Sequence, residues 1–204
     1  MNEPIHRSTL LVFGATGFLG RRIVQLATQA GHEVRAVHRP GRDLGGLPTD
    51  GVTWLPGDLL DSSSWRPHLT GVSAVVSTVG GFAAGGFPRA EMSLPIVTNA
   101  YRELAQAAKD AGVRRLVFTS VLAAEKAASV PHFHEKHQIE QALLGGPVPF
   151  TSLRPGAFLE NEDDRSGAGL RKGGLPFVGR RDVRMNWIHP LDVADLHVRA
   201  ATNT

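Results

Sequence analysis

Short apolar runs alternate along the chain with longer stretches in which apolar residues recur every three or four positions. Residues 9–13 (TLLVF), 33–37 (EVRAV), 52–55 (VTWL), 73–79 (SAVVSTV), 115–119 (RLVFT) and 150–153 (FTSL) are brief and rich in Val, Leu and Thr, so each predicts a strand. Leu19, Ile23, Leu26, Ala27 and Ala30 fall at i, i+4, i+7, i+8 and i+11, which predicts a helix with one apolar face that Gly31 stops. Val97, Ala100, Leu104, Ala108 and Ala111 repeat that pattern up to Gly112, and residues 134–144 read as a further helix halted by Gly145 and Gly146. Parallel strands need crossover connections, usually helices. The alternation therefore predicts an α/β fold, a doubly wound parallel sheet with helices on both faces, formed as a single domain over residues 1–204. The chain shows no internal repeat, coiled-coil heptad or low-complexity tract.

Composition narrows the chemistry. With 204 residues, of which 42% are hydrophobic and 20% charged, one sizeable core is expected. The chain has no Cys, which excludes disulfides, thiolate catalysis and Cys-ligated metals, and it has a single Tyr, Tyr101. The sequence pI is about 9.8, yet the formal net charge is only +3 and the Lys and Arg residues are scattered, so no nucleic-acid partner is expected. No stretch approaches the roughly 18 apolar residues of a membrane span. The N-terminal apolar run is broken by Gly14, Gly17 and Gly20 and lacks the pattern of a signal peptide. A cytoplasmic protein with a small-molecule substrate is expected, as a monomer or a homodimer.

Directly after the first strand, Gly14-Ala15-Thr16-Gly17-Phe18-Leu19-Gly20 opens the first helix. Gly14 suits a tight turn, Gly17 lets backbone approach a pyrophosphate, and Gly20 permits close helix–sheet packing, with helix N–H groups facing the phosphates. Between strand and helix, this G-x-x-G-x-x-G turn predicts dinucleotide binding. The second strand ends Val37-His38-Arg39-Pro40, with no carboxylate before Asp43 to hold a ribose 2′-hydroxyl. Arg39, with help from Arg42, is suited instead to a 2′-phosphate, so NADP(H) is expected over NAD(H).

Five segments together resemble the atypical short-chain dehydrogenase/reductases of the NmrA-like, NAD(P)H-binding type, a group that includes flavin reductases of the biliverdin-reductase-B kind. They are LLVFGATGFLG, PGDLLD at residues 56–61, NAYRELAQAAKDAGVRRLVFTSV at 99–121, FTSLRPGAFLEN at 150–161, and WIHPLDVADL at 187–196. The resemblance implies a Rossmann-type fold with a small C-terminal substrate region. It implies that Asp58 and Leu59 flank the adenine, and that Ser77, Thr78, Val79 and Gly80 pass the ribose and nicotinamide. Thr119 would neighbour the cofactor and Ser120 would place a hydroxyl near the substrate. Lys136 would bond the nicotinamide ribose, and Pro155 with Gly156 would meet the carboxamide. Asp58 and Ser120 also suit helix or strand caps, and Lys136 a solvated helix position.

The departure from that pattern is the Tyr four residues before the Lys, whose phenol exchanges a proton with a substrate oxygen in members with a full dehydrogenase site. Here that position is His132. Tyr101 lies on the apolar face of another helix, so a Tyr–Lys acid/base pair is not expected. Either His132 donates the proton, since imidazole titrates near neutrality, or the acceptor is a flavin or quinone that takes its proton from water. Two function classes stay open: an NADP(H)-dependent oxidoreductase with a planar acceptor, and a nonenzymatic NADP(H) redox sensor. A sugar-nucleotide epimerase or dehydratase is disfavoured by the missing Tyr.

Weaker features complete the picture. His132, His134 and His137 do not share one helix face, so no metal site is expected. The loops at 80–95 and 157–187 read as substrate-side walls. Phe82, Phe87, Phe158, Phe177 and Trp187 are candidates to stack on a planar ring, and Glu160, Glu162, Asp163 and Asp164 form a solvated acidic loop. The chain ends soon after Asp192-Val193-Ala194, which suggests a truncated chain or a minimal, open pocket.

Overall fold

The computed structural model describes residues 7–80, 94–158 and 186–203. Most of the loop residues singled out above, including Phe82, Phe87, Phe177 and the acidic cluster, lie outside them.

Six parallel strands form the sheet: β1 (Thr9–Phe13), β2 (Glu33–His38), β3 (Val52–Pro56), β4 (Ala74–Ser77), β5 (Arg115–Thr119) and β6 (Phe150–Leu153). Their spatial order is β3-β2-β1-β4-β5-β6. The helices are α1 (Gly20–Gln29), the single turn α2 (Ser62–Trp65), α3 (Leu94–Asp110), α4 (Pro131–Leu143) and α5 (Pro190–Thr202). A second, two-stranded parallel sheet joins β7 (Ala157–Phe158) to β8 (Trp187–Ile188).

β1 shows why the sheet is sealed on both faces. Leu11 and Phe13 enter one core with Trp65, Tyr101, Leu104, Phe118 and Ile139, while Leu10 and Val12 enter the other with Ile23, Val76, Val117, Val193 and Ala194. Period-2 alternation sends successive side chains to opposite layers, and both layers are apolar. Chain order reverses between β1 and β4, so the connections leaving the carboxyl ends of these strands diverge and open a crevice there.

Several boundaries differ from the sequence reading. β4 ends at Ser77 rather than residue 79: Thr78 N makes the last bond to β1, at Phe13 O (3.1 Å), and the Val79 carbonyl is taken by a side chain. α4 starts three residues earlier than predicted, at Pro131, whose fixed φ suits a first helical turn. The cap of α2 is Asp61, which accepts from Ser63 N (3.1 Å), and not Asp58, whose Oδ1 accepts from Leu60 N (3.0 Å). α5 packs on α1 and on β4, β5 and β6, so the residues after 189 complete a main layer of the fold.

Candidate functional site

The glycine turn sits between β1 and α1. Gly14 has φ +76°, a left-handed conformation that a side chain strains, and a Cβ there would run into Thr78 Oγ1. Gly20 lies so close to the turn that a Cβ would overlap Gly14 O and come within 2.9 Å of Ala15 Cα. Gly17 N donates to Gly14 O (2.9 Å) and closes the turn. No side chain caps α1, which leaves the positive end of its dipole available to an anion.

A cleft of about 290 Å³ opens over this turn at the ends of β1, β2, β3 and β4. Of the residues anticipated from sequence, it gathers Gly14, Thr16 and Gly17 from the turn, His38 and Arg39 from the end of β2, Asp58 and Leu59 after β3, and Thr78, Val79 and Gly80 after β4. Phe13, Val37, Arg42, Gly57 and Leu60 complete the lining. Of these, Arg42 was named as a helper to Arg39. Gly57 had a legible signal in its Pro-Gly-Asp setting: a Cβ there would come within 3.0 Å of Val37 Cγ1 and crowd the cleft. The mouth at β2 is cationic, with exposed Arg39 and Arg42.

The other anticipated residues stand outside this lining. Leu19 and Gly20 are buried in the α1 packing, and Phe18 lies under the Arg22 guanidinium, 4.1 Å from the ring centroid. Pro155 is buried and its carbonyl accepts from Leu122 N (2.8 Å), while Gly156 packs against the Asn186 backbone too closely for any Cβ.

Behind the cleft wall, three side chains converge on one turn. Tyr101 Oη donates to Val79 O (2.7 Å) and lies 2.7 Å from Ser77 Oγ. With the only phenolic hydrogen committed to the carbonyl, Ser77 is the donor to Oη, and Ser77 Oγ in turn accepts from Val79 N (3.4 Å). Lys136 Nζ donates to the same Val79 O (3.3 Å) and stands 4.5 Å from the Phe118 ring centroid. Tyr101 is therefore more than an apolar-face residue: the phenol and the Lys meet at one acceptor, which their sequence spacing did not reveal. Burial pushes the phenol pKa far up, against a smaller lowering by the Ser77 hydrogen bond, so Tyr101 does not exchange protons near neutrality. Burial, and then the Lys136 charge, lower the pKa of His132. Its imidazole is thus neutral at pH 7, the form that accepts rather than donates a proton at its free nitrogen.

Ser120 and Thr119 diverge at the end of β5. Ser120 Oγ is buried beside the Glu140 carboxylate without a well-formed hydrogen bond. Glu140 accepts from Arg154 Nη2 (2.6 Å) and Nε (2.8 Å) and from Ser152 Oγ (2.5 Å), while Arg154 Nη1 reaches Glu125 (2.8 Å). On the opposite face, Thr119 Oγ1 lies 2.7 Å from Nε2 of fully buried His197, whose Nδ1 is 2.7 Å from Val193 O. Nδ1–H donation to that carbonyl leaves Nε2 to accept from Thr119. Among the described residues, no cluster of acidic and His side chains is placed to hold a metal ion, and no helix is long and apolar enough to cross a membrane.

The 3-2-1-4-5-6 parallel sheet, the glycine turn entering α1 and the cleft at the switch point define a Rossmann-type α/β protein. The chain belongs to the NmrA-like family, which matches residues 6–166. It is 28% identical over 192 residues to Photosystem II assembly factor Ycf39 of Guillardia theta, an alignment covering 94% of this chain and 60% of that protein. It is 30% identical over 201 residues to (4-alkanoyl-5-oxo-2,5-dihydrofuran-3-yl)methyl phosphate reductase of Streptomyces griseus subsp. griseus, covering 96% of this chain and 64% of the relative. The chain thus spans less than two thirds of the length of either relative. The NADPH-dependent quinone oxidoreductase QOR2 of Escherichia coli shares the fold, with a TM-score of 0.75 and 23% identity over 96% of this chain and 65% of that one.

Proposed function

We propose that this protein binds NADP(H) in the cleft and acts as a reductase of a small planar acceptor, a flavin or a quinone. The observation that carries this reading is the cleft itself. A glycine cradle too closely packed at Gly14 and Gly20 to take a Cβ lies at one end, and Arg39 with Arg42, and no carboxylate, at the end of β2. The cradle suits a pyrophosphate, and the two guanidinium groups suit a 2′-phosphate rather than a free ribose hydroxyl. Asp58 and Leu59 border the adenine end.

When bound, the nicotinamide supplies hydride. The chain's own part is to position and to exclude water. Val79 and Gly80 line the wall after β4, and Lys136, already on the Val79 carbonyl, would bond the nicotinamide ribose. Ser120 is buried at the end of β5 with its hydroxyl beside Glu140. Thr119, with its proton given to His197, offers only acceptor lone pairs, and Pro155 with Gly156 borders the far side. With Tyr101 sealed and His132 neutral, catalysis rests on proximity and orientation, and the acceptor draws its proton from water. The absence of Cys fits a reducing, cytosolic setting.

Steady-state NADPH oxidation with a panel of flavins, quinones and carbonyls tests this reading. Turnover is expected with a flavin or quinone and not with simple carbonyls, which need a positioned acid. Tight NADPH binding with no turnover on any acceptor would instead favour the second reading, a nonenzymatic redox sensor. The absence of a proton-exchanging Tyr and the likeness to an assembly factor support that alternative.

A further inference from the structure

The geometry points to Tyr101 as a positioning residue that sets the deep wall of the cofactor cleft by holding the Val79 carbonyl. The last bond of β4 to its neighbour in the sheet is Thr78 N to Phe13 O (3.1 Å), so Val79 and Gly80 beyond it have no strand partner to fix them. Yet Thr78, Val79 and Gly80 all line the cleft. What fixes Val79 is a closed circuit in which Ser77 Oγ donates to Tyr101 Oη, Tyr101 Oη donates to Val79 O, and Val79 N donates back to Ser77 Oγ. Ser77 and Tyr101 are both fully buried, so no water competes for the bond between them, and the ring is held edge-on to Phe118 with centroids 5.1 Å apart.

Lys136 donates to the same carbonyl at 3.3 Å, longer than the 2.7 Å bond from Tyr101. Because the phenol satisfies Val79 O by itself, Lys136 can leave that oxygen for a ribose hydroxyl without stranding a buried acceptor. The lone Tyr thus takes on a supporting task in place of acid/base work: it keeps the wall in place while the Lys exchanges partners.

This inference rests on the dinucleotide reading of the cleft, and one experiment separates the two. NADPH dissociation constants are measured for the wild type, Tyr101→Phe, Lys136→Met and the double variant, with thermal melting recorded alongside and with the Val79 carbonyl, labelled with ¹³C, followed by NMR in the cofactor-free protein. Tyr101→Phe keeps the ring and removes only the hydroxyl. Its NADPH dissociation constant is expected to rise at least fivefold and the Val79 carbonyl resonance to move upfield. The double variant is expected to lose more than the product of the two single losses, because only then does the shared acceptor lose both donors. A Tyr101→Phe protein that melts lower but binds NADPH within twofold of the wild type would overturn the inference and leave the phenol a purely structural group. Independent, multiplicative losses would overturn the shared-carbonyl account. A wild type that does not bind NADPH would overturn the cofactor reading, and this inference with it. Should Tyr101→Phe fail to fold, Ser77→Ala opens the same circuit from its other side and is expected to weaken NADPH binding at least twofold; unchanged binding there would count equally against the inference.

Discussion

Two residues test the cleft at the level of single atoms. Arg39 is exposed at the end of β2, where a carboxylate would select an unphosphorylated ribose. Substituting Arg39→Asp should cost NADPH at least about 1 kcal/mol of binding, the scale of a charged hydrogen bond, while NADH affinity changes less; equal losses would show that Arg39 does not read the phosphate. Gly20→Ala tests the turn through stability. Its methyl group would overlap Gly14 O and crowd Ala15 Cα, backbone atoms with no flexible end to move, so a urea-unfolding loss of about 2–3 kcal/mol is expected. Both positions were legible in the sequence, because glycine spacing and a strand-end Arg are local patterns. The circuit around Tyr101 was not. Its members come from β4 and α3, residues 77 and 101, and nothing local to Tyr101 says that its hydroxyl ends on a carbonyl of the cleft wall.

At the scale of elements, Glu140 ties three pieces together: α4 on which it sits, β6 through Ser152 with Arg154 just beyond, and through Arg154 the turn that carries Glu125. Burial opposes the charge of Glu140, but the hydrogen bonds from Arg154 and Ser152 outweigh it and hold the carboxyl below its usual range. A folded pKa below the unfolded one means that this contribution to stability is full above the unfolded value and is lost as pH falls through the folded value. Glu140→Gln should therefore cost about 2 kcal/mol at pH 7, reduced from the full buried-pair scale because Arg154 is more than a third exposed. The variant's deficit should shrink on acidification, as followed by denaturant unfolding; a constant deficit from pH 7 to 3 would contradict the assignment. The six strands of the main sheet and three of the four longer helices could be read from periodicity, with end errors where a side chain or a Pro decided the boundary. α5 escaped because its buried face sets His197 among Val193, Ala194, Val198 and Ala201, a polar interruption of the apolar pattern that the hydrogen bond to Thr119 makes tolerable.

For the whole molecule, that same His197 links the packing of α5 on the sheet to pH. It is fully buried between α5 and the sheet, and burial pushes its pKa down to about 4, against a partial upward pull from the Val193 carbonyl. Between the unfolded value near 6.5 and the folded value near 4, the unfolded chain binds the proton and the folded one does not, so stability falls as pH drops through that window. Urea midpoints should be flat from pH 8 to 7 and decline from pH 6 to 4, with His197→Asn reducing the slope; His32 and His132, both also lowered, leave part of it in place. The doubly wound order could be anticipated because alternating strands and helices admit few topologies. The cleft's division of labour could not, since it depends on which strand ends meet.

A phosphorylated dinucleotide is the proposed occupant of this cleft. Calorimetric titration of the wild-type chain with NADPH and with NADH tests it most directly. One-to-one NADPH binding at least tenfold tighter than NADH is the predicted result. Equal affinity for the two, or no binding of NADPH, would contradict it.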